Sequence, residues 1–199
     1  MNALGIAATG MLAQQTQVDV VAHNIANANT TGFKAGRAAF QDLIYQTQKR
    51  EGALTGEDGT ARPVGVDIGL GVQTAGIIRL NTQGGLLETG NQLDLAIDGR
   101  GYFVVTRPDG SAAYTRSGAF NLSAEGEVVS LQGDRLEPPI VIPENTTRVE
   151  VSVDGQVMAY VSNEAAPQLI GQIWLATFVN EAGLKPIGDN LLLESAASG

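Results

Sequence analysis

Leu4, Met11, Val18 and Ile25 stand seven residues apart, with Ala7, Gln14, Val21 and Ala28 three after each and Ala8, Gln15 and Ala22 four after. This spacing predicts one helix over 3–28 with a heptad stripe along it. Ala7, Ala8, Ala22 and Ala28 are small residues among these positions, which lets helices approach closely. Asp19 is the only acidic residue in that stretch, which holds no Lys or Arg. A surface helix normally carries such charges on its outer face, so this one suits burial among other helices. The plainer alternative is packing on its own domain. Leu4, Met11, Val18, Val21 and Ile25 are the candidate interface residues.

The helix runs into "VVAHNIANANTTGFKAGRAAF", residues 20–40. Asn27, Asn29, Thr30 and Thr31 are poor interior helix formers because their side chains compete for nearby backbone groups. Gly32 takes positive φ without strain. The run therefore ends the helix and turns the chain. Asn24, one turn earlier, is placed for its amide to bond the backbone of a neighbouring helix. "FKAGRAAFQDLIYQ" then begins a second, shorter periodic segment through Phe33, Phe40, Leu43 and Ile44. Residues 46–63, "QTQKREGALTGEDGTARP", show no periodicity and read as a long extended loop; loops of this length in compact domains are functional or disordered.

From Val64 onward the pattern is β. Expected strands are 72–80, 93–97, 101–106, 112–116, 127–131, 139–143, 148–153, 156–161 and 172–179. The pairs Asp98-Gly99, Asp109-Gly110, Glu125-Gly126 and Asp154-Gly155 separate short runs, and Asp-Gly between alternating strands is a strong hairpin signal. The expected fold is mainly β, with a long N-terminal coiled-coil-type helix (1–32), a connecting segment (33–63) holding the 46–63 loop, and an antiparallel β body (64–199).

The inventory argues against an enzyme. His23 is the single histidine and lies inside the helix, and there is no cysteine. No Ser-His-Asp set and no metal-ligand spacing appears, so no catalytic residue, metal or cofactor is expected. "GLGVQTAG" (69–76) resembles a glycine-rich loop but lacks a surrounding βαβ unit. Residues 1–50 carry a net +2, whereas 51–199 hold 8 basic and 19 acidic side chains, a net −11. An acidic body disfavours nucleic acid and anionic lipid. No uninterrupted apolar run is long enough to span a membrane, and the N-terminus makes a poor signal peptide.

"AATGMLAQQTQVDVVAHNIANANTTGFKAGRAAFQDLIYQ" resembles the N-terminal signature of flagellar rod and hook proteins, with Asn24, Asn27, Asn29, Gly32, Phe33 and Lys34 in its core. "LDLAIDGRGYFVV", "YTRSGAF" and "QIWLATFVNEAGLKPIGDNLLLE" extend the resemblance over nearly the whole chain. The 46–63 loop followed by "PVGVDIGLGV" is similar to an insertion of the family's distal-rod members. The resemblance implies an elongated axial subunit of the basal body, exported without a cleaved signal by the flagellar type III apparatus and crossing the periplasm. It also implies self-assembly into a helical tube that transmits torque from motor to hook, with helices inside and β domains outside. Proximal rod and hook proteins, and the stationary rings around the rod, are the implied partners. On that tube Glu125, Glu127, Glu150 and Asp154 would belong to an outer acidic surface. The family ends in a second long helix that pairs with the first, and none follows "ESAASG" here. Without it, the 4–28 stripe is expected to stand exposed and to lose order in solution. The alternatives are a proximal rod or hook protein and, outside the family, a soluble β-rich binding module with a helical dimerisation arm.

Overall fold

The computed structural model describes residues 2–52, 63–162 and 166–199. The chain is mainly β, with antiparallel sheets and one N-terminal helix. It divides into two units, one made of Met1–Ala28 and Ala35–Leu80, the other of Asn29–Lys34 and Asn81–Gly199. Strands within 64–80 thus group with the helix and not with the residues that follow.

The first unit holds α1 (Asn2–Ala26) and strands β1 (Gly36–Asp42), β2 (Tyr45–Lys49), β3 (Val66–Gly69) and β4 (Val72–Arg79). β1 pairs with β4, and β2 with β3. Two backbone bonds join the ladders end to end: Leu43 N–H to the Gly71 carbonyl at 2.9 Å and Leu70 N–H to the Ile44 carbonyl at 3.2 Å. The result is one antiparallel ribbon with bulges near Ala39 and Thr47. The segment through Phe40, Leu43 and Ile44 is therefore extended, and residues 46–49 of the expected loop form a paired strand. No local window shows this pairing, because the partner strands lie beyond residue 65. Residues 53–62 of that loop lie outside the described residues.

A two-stranded ribbon is marginal by itself, and α1 covers this one. Ala13 and Val20 are buried, as is Ala38 on β1. The contact is close because it is glycine-lined. At Gly36 an added Cβ would touch the Val20 side chain of the helix at 3.7 Å, and at Gly71, which has φ +123°, it would collide with the Thr9 hydroxyl. The Thr9 hydroxyl donates to the Ile6 carbonyl at 2.7 Å and accepts the Val72 N–H at 3.3 Å. The heptad stripe stands exposed, as expected, but the helix does not stand unsupported: its other face is held by the ribbon.

The second unit contains β5 (Tyr102–Thr106), β6 (Ala112–Thr115), β7 (Phe120–Leu122), β8 (Val128–Ser130), β9 (Arg135–Glu137), β10 (Thr146–Val151), β11 (Gln156–Val161), β12 (Gln168–Gln172), β13 (Leu175–Ala176), β14 (Lys185–Gly188) and β15 (Leu191–Leu193). One sheet runs β14-β15-β6-β5-β9-β8-β7, with β13 also on β5; a second sheet runs β10-β11-β12. Phe103, Val105, Phe120, Leu136 and Ile140 meet Val149 and Val157 of the second sheet in one core. Phe103 and Phe120 pack edge to face at 5.2 Å. On the other face of β5, Tyr102 joins Phe178 and Leu184.

Four turns here are built alike. Arg107, Ser123, Ser130 and Ser152 each give their N–H to the carbonyl four residues on, and their carbonyls accept the N–H of Gly110, Gly126, Gly133 and Gly155. Those glycines have φ between +77° and +91°, the left-handed position of a three-residue hairpin loop. Asp98-Gly99 is different: Gly99 is at φ +102° but precedes β5 without joining two strands. Two expected strands are also absent as ladders. Asp94 makes a single bridge to Ala119, and Val141 one to Glu127. Their apolar residues still enter the core, with Ile97, Ile140 and Ile142 buried.

Candidate functional site

α1 presents two faces of opposite character. Leu4, Met11, Val18 and Ile25 are 76%, 68%, 64% and 71% exposed, and Val21 43%. The other face is small and polar, and its polar groups are satisfied at home. Asn24 Nδ2 donates to the Gly36 carbonyl at 2.8 Å, and its Oδ1 accepts the Gly36 N–H at 2.9 Å. The amide expected to bond a neighbouring helix thus bonds the first residue of β1 in the same chain. It does so because the turn after α1 brings the chain straight back along the helix.

The motif splits at the unit boundary. Asn27 Nδ2 donates to the His23 carbonyl at 3.0 Å, closing the last turn of the helix. Asn29 is exposed, and from it to Lys34 the chain belongs to the second unit. Phe33 N–H donates to the Thr30 carbonyl at 3.2 Å around Gly32, which has φ +74°. Lys34 Nζ donates to the Thr82 carbonyl at 2.7 Å. Burial, with the Arg116 charge adding to it and Glu181 opposing it, holds the Lys34 ammonium below the usual lysine pKa.

Four residues outside the candidate set, Asn190, Thr115, Arg116 and Ser117, meet this segment. Asn190 Nδ2 donates to the Thr31 carbonyl at 3.0 Å. A Cβ on Gly32 would fall 2.6 Å from Ser117 N and 2.8 Å from the Arg116 carbonyl carbon. Thr115, one of the few buried polar residues, lies beside them. Thr115, Arg116 and Ser117 lie in "YTRSGAF" and Asn190 in the last of the stretches that resemble the family, where "GDN" (188–190) between two short apolar runs is a turn sequence.

The four acidic residues are not equivalent. Glu127 pairs with Arg135 at 3.0 Å, and Glu150 with Arg148 at 2.6 Å. Glu150 also accepts the Tyr160 hydroxyl at 2.9 Å. Glu125 and Asp154 are exposed. No described helix is long and apolar enough to cross a membrane.

Comparison with known proteins matches both units. Residues 4–34 fit the flagella basal body rod protein family, and residues 96–159 fit the D1 domain of the flagellar hook protein FlgE/F/G family. The first match ends at Lys34, where the motif segment leaves the second unit. The flagellar basal-body rod protein FlgG of Agrobacterium fabrum is 49% identical over all 199 residues, which cover 76% of that protein. FlgG of Bacillus subtilis is 38% identical over 96% of this chain and 72% of its own length. The flagellar hook protein FlgE of Treponema pallidum is 41% identical over 65% of this chain but only 27% of its own. With likeness to the rod proteins along nearly all of this chain and about three-quarters of theirs, and a shorter likeness to the hook protein, this chain belongs to the flagellar basal-body rod protein family as a structural component, not an enzyme.

Proposed function

We propose that this chain is a subunit of the distal rod, a drive shaft that self-assembles as a helical tube and transmits torque from motor to hook. The exposed Leu4, Met11, Val18, Val21 and Ile25 stripe carries the reading. A helix whose polar face is already satisfied within its own unit leaves its large apolar side chains for coiled-coil packing against other helices. Each fully buried one contributes about 1.5–3 kcal/mol. The subunit travels through the type III apparatus, joins proximal rod and hook proteins at its ends, and turns inside stationary rings. The acidic surface, including Glu125, Glu127, Glu150 and Asp154, faces those rings and limits sticking because charged groups hold their water.

Val18→Asp tests the core of this. The expected result is loss of incorporation into the rod, with the circular dichroism of the β units unchanged. Normal incorporation overturns the reading. A second test concerns 46–63, whose role here is to lie against neighbouring subunits and stiffen the tube. Deleting it removes most of β2 and should make the assembled structure more flexible; an equally stiff structure removes that role.

A further inference from the structure

Three hydrogen bonds and one close backbone contact link segments distant in sequence into a circuit around Thr31 and Gly32. Asn190 Nδ2 donates to the Thr31 carbonyl, and the Asn190 carbonyl accepts the Thr115 hydroxyl at 3.0 Å. The same hydroxyl accepts the Ser117 N–H at 3.0 Å. Ser117 backbone lies against Gly32, where no Cβ fits, and the circuit returns to Thr31. Thr115 is 3% exposed, so its hydroxyl has no water to replace a lost partner. Asp189 and Asn190 have φ +53° and +60°, the two left-handed positions of a tight hairpin turn between β14 and β15. Glycine would meet the backbone demand at position 190 more easily. Asparagine tolerates it and adds a donor, which neither glycine nor aspartate supplies.

We infer that this circuit is a latch, and that Asn190 and Thr115 are positioning residues for the motif segment 29–34. The chain leaves α1 and returns to β1 through that segment, and the latch holds its middle residues, Thr31 and Gly32, within the second unit. It also makes the order of a motif synthesised early depend on a turn synthesised some 160 residues later, by the sequence separation of the Asn190–Thr31 bond. A chain whose β14–β15 turn has not formed lacks the Asn190 anchor at Thr31 and is left with the Lys34–Thr82 bond at the end of the segment. This inference does not rest on the distal-rod reading, and holds for the isolated chain.

Amide hydrogen exchange on the full chain tests it, read at Phe33 and Ser117. Asn190→Asp suits the turn but removes the donor; Thr115→Val removes the hydroxyl; Thr115→Ser restores it. Exchange at Phe33 and Ser117 should quicken by about tenfold or more in the first two variants, the effect of losing one hydrogen bond to a buried group. It should stay near wild type in Thr115→Ser, with the buried Val105 and Leu136 amides unchanged throughout. Unchanged exchange at Phe33 and Ser117 in either disrupting variant overturns the latch. So does loosening of Val105 and Leu136 in step with them, because Asn190 and Thr115 would then support only the sheet as a whole.

Discussion

Asn24 and Gly36 are joined twice, the asparagine amide giving one hydrogen bond to the glycine backbone and taking another from it. The pair ties the last turn of α1 to the first residue of β1 across a 12-residue separation. Asn24→Ala leaves a backbone donor and acceptor without these partners, a loss of roughly 1–3 kcal/mol. Urea unfolding should register it. Asn24→Asp keeps the acceptor alone, so the Gly36 N–H should exchange more slowly in that variant than in Asn24→Ala. Equal exchange in the two would contradict the two-way bond.

Gly71 is constrained twice, by φ +123° and by the Thr9 hydroxyl that fills the space of a Cβ. Gly71→Ala should destabilise the helix–ribbon unit. Adding Thr9→Ala removes the collision but not the backbone strain, so the double variant should recover stability only in part. Full recovery would mean that φ costs nothing at this position, and no recovery that the contact is not the obstacle.

Charge reversal should sort the four acidic residues into two classes. Glu125→Lys and Asp154→Lys alter exposed side chains, and their effect on folding should stay within about 0.5 kcal/mol. Glu127→Lys and Glu150→Lys break pairs with Arg135 and Arg148 and set like charges together. An exposed pair is worth about 0–1 kcal/mol, so these should be the more destabilising substitutions in chemical denaturation. Glu125 and Asp154 are therefore the positions at which the proposed bearing role can be tested without disturbing the fold. Failure of export or solubility, with normal rotation of the rods that do assemble, would dismiss that role.

Tyr160 gives a test in alkali. Its hydrogen bond to Glu150 is the main cause that raises the phenol above its ordinary value, with desolvation and the Glu150 charge adding to it and Arg148 opposing. A raised folded pKa contributes stability that is complete below the unfolded value of about 10 and lost as pH climbs through the folded one. Glu150→Ala, which removes the acceptor and the charge together, should bring the Tyr160 midpoint down toward about 10 in an ultraviolet titration, with Tyr160→Phe identifying the signal. An unmoved midpoint would contradict the assigned cause.

Hydrophobic period revealed α1 but not the face on which it packs. Leu4, Met11, Val18 and Ile25 announce themselves, whereas the face against the ribbon is drawn from Thr9, Ala13, Val20 and Asn24, too small and polar to form a stripe. The expected strands 93–97 and 139–143 hold Ile97, Ile140 and Ile142, which are buried, yet burial does not require a ladder, and these segments have only single bridges. The ribbon was hidden because β1 and β2 take partners some 20 to 40 residues downstream, a pairing with no local signal. The family motif was plain as a pattern, but its anchor at Asn190 lies at the other end of the chain.

The interleaving of the two units, with Asn29–Lys34 set apart from the residues on either side of it, has a practical consequence for anyone dissecting the chain. A cut at residue 80 looks like a clean boundary, yet it strips the downstream fragment of six residues that belong to it. Deleting the N-terminal arm through Lys34 does the same harm from the other direction. Neither unit corresponds to a contiguous stretch of gene, so recombination that exchanges one between relatives must carry a small piece of the other's coding sequence along.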